Sequence, residues 1–176
     1  MNWEEILNFW FEEIEPAQHW KKDLEFDQLI RDRFGVVHAA AVSGELWEWR
    51  DEPLGRLAEI IVIDQFSRNM FRGRPESFAY DRLALTLAQE AVRSGADQAL
   101  EKTQLPFLYM PYMHSESKKI HEVAMILFKD LPNLDYEIKH KEIVDRFGRY
   151  PHRNEILGRG STPEEIEFLK QPGSSF

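Results

Sequence analysis

The phrase Asp-x-Phe-x-Arg-x-x-x-Arg occurs twice in this chain, as Asp64, Phe66, Arg68 and Arg72 and again as Asp145, Phe147, Arg149 and Arg153. Each copy follows an apolar, helix-like run and opens a cationic stretch without an acid: "QFSRNMFRGRP" carries Arg68, Arg72 and Arg74, and "RFGRYPHRN" carries Arg146, Arg149 and Arg153 with His152. Against 31 Asp and Glu and only 22 Lys and Arg in the whole chain, this local excess needs a reason. A guanidinium offers a planar fork of donors that matches a carboxylate or phosphate bidentately. Each stretch also leads to an expected helix start, at Pro75 and near Pro151, where free N–H groups attract anions. One reading is therefore a shared anion site, with the two phrases facing each other and the arginines repelling until an anion arrives. The other is helix-end capping used twice, with Asp64 and Arg68 as a local ion pair and the phenylalanines in the core.

A second candidate lies in "FLYMPYMHSES", where His114 and Glu116 are spaced as a proton-transfer pair or as half a metal site. Neither a His-Glu-x-x-His phrase nor a histidine pair four residues apart is present, so no metal is called for. His38 and His140 fall on apolar helical stripes and read as core residues, and His19 falls in a loop. A phosphate-cradling glycine loop, a nucleophile elbow and kinase phrases are all missing, and no cofactor is implied.

The elements that must position these residues are helical, because apolar periodicity near 3.6 recurs and strand alternation does not. Asn2 with Glu5 reads as a capping box opening a helix over about 3–13. Others are expected at about 23–42, from Pro53 through "PLGRLAEIIVIDQF", at about 76–94, from near Ser115, at about 134–147, and after "STPEE", with Thr162 as cap and Glu165 closing its box. The third is apolar nearly all round and should be buried on most faces, with Glu59 the exception. The aromatics Trp3, Phe9, Trp10, Phe11, Trp20, Trp47 and Trp49 read as packing.

Composition limits the function classes. The 176 residues fit one domain spanning 1–176, and 43% hydrophobic residues fit a folded core. A net charge of −9 argues against a nucleic-acid partner. With zero cysteines, disulfides and thiolate metal sites are excluded. The apolar run "IIVI" is far too short to span a membrane, no secretory leader pattern opens the chain, and the expected setting is the cytoplasm.

The phrases "ILNFWF", "GRLAEIIVIDQFSRNMFRG", "FLYMPYMHSE", "DRFGRYPHRNEILGR", "STPEEIEFLK" and "PGSSF", in this order, resemble the largely bacterial family known as domain of unknown function 924. The resemblance implies an all-helical, tetratricopeptide-like fold and no particular reaction. Its recurring phrases correspond here to Asp64, Arg68, Asn69, Arg72 and Gly73, to His114, Ser115 and Glu116, and to Arg149, Pro151, His152, Arg153 and Asn154. Ser67 stands where the family usually has proline, His121 where glutamine is common, and Glu59 interrupts an aliphatic helix. Because the resemblance runs to the last residue, Phe176 is expected to dock on the body of the protein.

The combined expectation is an all-α chain of stacked antiparallel helical hairpins resembling a right-handed tetratricopeptide-like superhelix. Its leading function is binding of a small anionic ligand or acidic peptide end by Arg68, Asn69, Arg72, Arg149, Arg153 and Asn154. An enzyme with His114 or His152 as general base on a phosphate- or carboxylate-bearing substrate, and Glu116 beside it, is the alternative. The third is a tetratricopeptide-like scaffold whose arginines are buried in Asp pairs rather than lining a reachable pocket. The oligomeric state is not legible in the sequence.

Overall fold

Asn2 opens helix α1 (Trp3–Asn8) through the expected capping box, its side chain accepting from the Glu5 amide while Glu5 reaches back to Asn2. The structure is a computed structural model that describes residues 2–175; it is all-α, with no strand among the described residues. Phe176, expected to dock, lies outside them.

The α1 rod continues as a π turn over Phe9–Glu13, which drives Phe9 and Trp10 into the core. Asp23 caps α2 (Leu24–Val42), which buries Phe26, Ile30, Phe34, Val37 and Ala41 as its periodicity requires. Glu52 precedes α3 (Pro53–Ile61), with Pro53 in its first turn. The same rod runs on as a π turn, Val62–Phe66, and closes as α4 (Ser67–Met70). The widened turn carries Asp64 into the interior, and such π turns recur at functional sites. Ser67 occupies the place where the family's proline was expected, and its hydroxyl donates to the Ile63 carbonyl at 2.6 Å and meets His38 Nε2 at 2.8 Å. Glu59 does not interrupt the burial of α3: it is itself buried, held bidentately by Arg50 at 2.7 Å on both oxygens.

Helix α5 (Asp81–Arg93) starts later than its periodicity suggests, because the residues after Pro75 form only a single 3-10 turn. Helix α6 (Leu105–Met113) has no counterpart in the sequence reading. Proline normally breaks a helix, yet Pro106 lies in the opening turn and Pro111 is tolerated inside a segment buried from Pro106 to Met113. A helix apolar on every face shows no amphipathic stripe to detect. Then follow α7 (Lys118–Leu127), α8 (Leu134–Phe147) and α9 (Pro163–Leu169), the last capped by Thr162 and Glu165 as expected. Gly148 takes φ 71° after α8, turning the chain back toward the bundle.

From α5 to α8 each helix packs against the next. In the first half, α1 packs on α3, and α2 on the π turn and α4. Phe9, Phe34 and Phe66 meet where these layers cross, with centroids 4.8 and 5.0 Å apart. Trp20 and Trp47 depart from the packing expectation, since both are more than half exposed.

One glycine fixes how α3 enters the bundle. A Cβ on Gly55 would stand 2.0 Å from the Trp49 carbonyl oxygen. Gly→Ala inside a helix normally stabilises; here Gly55→Ala is expected to destabilise by about 3 kcal/mol, through overpacking against backbone that cannot move independently. Urea denaturation checks the sign.

Candidate functional site

Asp64 is fully buried and three side chains converge on it. His114 Nδ1 meets Oδ1 at 2.8 Å, Arg68 Nη1 lies 3.2 Å from the same oxygen and donates to the Asp64 carbonyl at 2.9 Å, and Gln65 Nε2 donates to Oδ2 at 2.6 Å. Burial opposes ionisation of this carboxyl, but the Arg68 charge beside it wins, so it is held below the ordinary carboxylate range. The same burial, with Arg68 near, lowers His114 and favours neutral imidazole. An ionised carboxylate only accepts, so Nδ1 carries the His114 proton.

The arrangement closes into a ring. Arg68 Nη2 lies 3.0 Å from Asp81 Oδ1, as a charge contact without hydrogen-bond alignment. Arg153 Nη1 donates to Asp81 Oδ2 at 3.0 Å and Nη2 to the His114 carbonyl at 3.1 Å. Thus Asp81 in the first turn of α5 joins the two phrases. The Arg153 guanidinium lies between two rings, 4.5 Å from the Phe78 centroid and 4.7 Å from that of Tyr150. Tyr150 is itself fixed by its hydroxyl, which donates to the Met113 carbonyl at 2.5 Å.

In front of this ring lies a cavity of about 1060 Å³. Arg68, Arg72 and Arg153 line it with Lys21, Lys22, His114 and Asn69, and among the described residues no Asp or Glu does. Trp20, Phe78, Met110, Met113, Tyr136 and Tyr150 supply an apolar wall. A smaller space of about 530 Å³ lies on the other side, lined by Asp81, Glu116 and Arg159 and sharing Phe78, His114 and Arg153 with the first.

The structure thus brings together Arg68, Asn69, Arg72, His114, His152 and Arg153, and sets the other candidates apart. Arg149 is clamped bidentately on buried Glu165 at 2.7 and 2.8 Å, and Asn154 is buried between Ser161, Glu165 and Arg159. Neither lines the cavity. Glu116 is no proton partner of His114: it accepts from Arg159 at 2.7 and 2.9 Å and from the Tyr150 amide at 2.7 Å. His114 ends α6 and Glu116 follows the turn, so their side chains meet different neighbours. The two phrases are also unequal, since Asp145 is exposed and paired with Lys141.

Two further expectations change. The arginines are acid-free in sequence but not in space, because Asp27 holds Arg72 at 2.5 and 2.8 Å and Asp64 and Asp81 hold the others. Electrostatic repulsion in an empty site is therefore not a feature of this wall. The helix starts at Pro75 and Pro151 are single 3-10 turns, too short to supply a helix dipole.

Sequence reasoning passed over Asp81, Asp27, Tyr150 and the cavity face of His140. Asp27 left a signal, an acid three residues before Ile30 on the buried stripe of α2; Asp81 left none. Among the described residues no group of three or more His, Asp and Glu could hold a metal, and no helix is long and apolar enough to cross a membrane.

The buried histidines give the site a pH signature. Burial pushes His140 down to about 3 and His152 down to about 4, from an ordinary 6.5. The unfolded chain then takes protons that the folded one refuses, so stability is full above pH 6.5 and falls as the pH drops below it. For His140 the loss is on the order of 2 kcal/mol between about pH 7.5 and about pH 5. Urea denaturation at those two pH values should show it, and His140→Gln should shrink the difference by that amount.

The chain matches a family model described as "Bacterial protein of unknown function (DUF924)" over residues 6–173. No curated protein matches it. It is similar to the solved structure of the protein of unknown function ATU0120 from Agrobacterium tumefaciens, with 39% identity, 96% of each chain covered and a TM-score of 0.92. On the match across nearly its whole length, the chain belongs to the DUF924 family.

Proposed function

We propose that this protein binds a small anionic ligand, bearing a carboxylate or phosphate, in the cavity between the two arginine phrases. The observation that carries the reading is the sign asymmetry of the lining: three arginines and two lysines with no Asp or Glu among the described residues, in a chain of net charge −9. Arg68, Arg72 and Arg153 are the anion contacts and Asn69 a neutral one; Arg149 and Asn154 take no part, being held by Glu165 and its neighbours. Arg68 Nη2 and Arg153 Nε are buried without an aligned hydrogen-bond partner, so the Asp pairs do not saturate either guanidinium. A volume near 1060 Å³ suits a small organic molecule or a short acidic peptide end.

The enzyme reading draws on one observation, the Asp64–His114 hydrogen bond, which orients an imidazole toward this space. The scaffold reading requires arginines in Asp pairs; the pairs are present, but the same arginines line the cavity, so the anion reading accounts for more. A single cytoplasmic domain in tetratricopeptide-like array is the setting in which we place it.

Phosphate or a dicarboxylate should raise the melting temperature beyond chloride at equal ionic strength. At 100 times the dissociation constant, linkage gives about 2.7 kcal/mol, a shift of about 5–10 °C for a chain of this size. Arg72→Ala and Arg153→Ala should each remove most of that increment, whereas Arg149→Ala should keep it even if its own baseline melt is lower. Equal increments in Arg149→Ala and Arg153→Ala would show a general salting effect and not a site.

A further inference from the structure

The cavity holds many donors, and among them His114 sets an acceptor that suggests which anion it takes. Its Nδ1 is committed to Asp64 and its carbonyl to Arg153, while Nε2 has no hydrogen bond within the protein among the described residues. With the proton fixed on Nδ1 by the carboxylate, Nε2 presents a lone pair. It does so in a lining where Arg68, Arg72, Arg153, Lys21 and Lys22 can only donate. Three other polar groups there commit their donors within the protein: Asn69 its amide to Asp27, Ser77 its hydroxyl to the Arg74 carbonyl, and Tyr150 its hydroxyl to the Met113 carbonyl.

We propose that His114 Nε2 is a specificity-determining acceptor, so that the site selects an anion carrying a proton next to its charge, such as hydrogen phosphate, a phosphomonoester monoanion or a hydroxy acid, over a fully deprotonated oxyanion. The inference rests on the anion reading above and adds a chemical class to it. A bare sulfate oxygen placed against Nε2 sets lone pair against lone pair and leaves that acceptor unpaired, whereas an O–H on the ligand satisfies it. The ring geometry makes this rigid: Asp64, itself paired with Arg68, holds the imidazole at Nδ1, and Arg153 holds the backbone carbonyl of the same residue.

Phosphate and sulfate separate the two effects. At about pH 8 phosphate is chiefly a dianion, equal to sulfate in charge and close to it in size, but with one O–H. Calorimetric titration of the intact protein should give phosphate about tenfold tighter than sulfate. His114→Asn places a side-chain amide where Nδ1 stood, keeping the donor to Asp64 while deleting Nε2, and should bring the ratio to about one. Equal affinities in the parent protein, or a preference that survives in His114→Asn, overturn the inference and leave anion binding standing; no binding of either anion overturns both. Should His114→Asn fail to fold, nitrogen-15 spectroscopy of the parent decides. Phosphate should move the His114 Nε2 resonance and sulfate should not, and a resonance unmoved by bound phosphate sinks the idea.

Discussion

A carboxylate with no exposed surface is the constraint on which the rest of this structure depends. Asp64 cannot be buried as an ion without compensation, since an isolated charge in the interior costs many kcal/mol. Its compensation comes from three directions: Arg68 one turn along its own rod, Gln65 beside it, and His114 at the end of α6. Arg68 then faces Asp81, Asp81 takes Arg153, and Arg153 returns to the His114 carbonyl. Each member pairs with the next, so the rod ending in α4, the first turn of α5, the end of α6 and the turn after α8 are tied into one unit. Removing one partner from such a buried network typically costs about 3–5 kcal/mol, because it strands the remaining charge.

This coupling explains what the sequence could and could not reveal. The helices were legible wherever one face was apolar and the other polar, as in α2 and α8, and the two capping boxes marked the starts of α1 and α9 to the residue. Helix α6 was not, because burial on every side erases the stripe and its prolines look like stops. The repeated phrase drew attention to Arg68, Arg72 and Arg153, which line one cavity, but it could not show that Arg149 turns to Glu165 instead. Sequence spacing reports which residues share a helix face; it carries no information about an acid supplied from a helix far along the chain. Asp27 and Asp81 are of that kind, and with them the balance of charge at the site was hidden.

Arginine is better suited than lysine to this wall for a geometric reason. A guanidinium has five donors in a fixed plane, so one edge can hold a carboxylate while another remains for a different acceptor. Arg153 uses Nη1 and Nη2 on two different groups and is stacked between Phe78 and Tyr150, which fixes the plane. Burial pulls its pKa below the ordinary arginine value while Asp81 opposes that pull. A compact ammonium ion, turning freely about its stem, would satisfy the carboxylates without presenting an oriented edge to the cavity.

The wall is close to electroneutral, yet it is not electrically featureless. Arg68, Arg72 and Arg153 line the main cavity, whereas Asp27, Asp64 and Asp81 do not. Charge is therefore layered, positive toward the space and negative behind it, and the field of such a layer fades faster with distance than that of a net charge. At long range an anion meets the overall −9 of the chain, screened beyond a Debye length of about 8 Å at physiological salt. Only inside the cavity do the guanidinium edges and the His114 lone pair act on it individually. In the reading proposed above, recognition at this site is a matter of hydrogen-bond pattern more than of charge, and the proton on a ligand, not the number of its charges, is the feature it distinguishes.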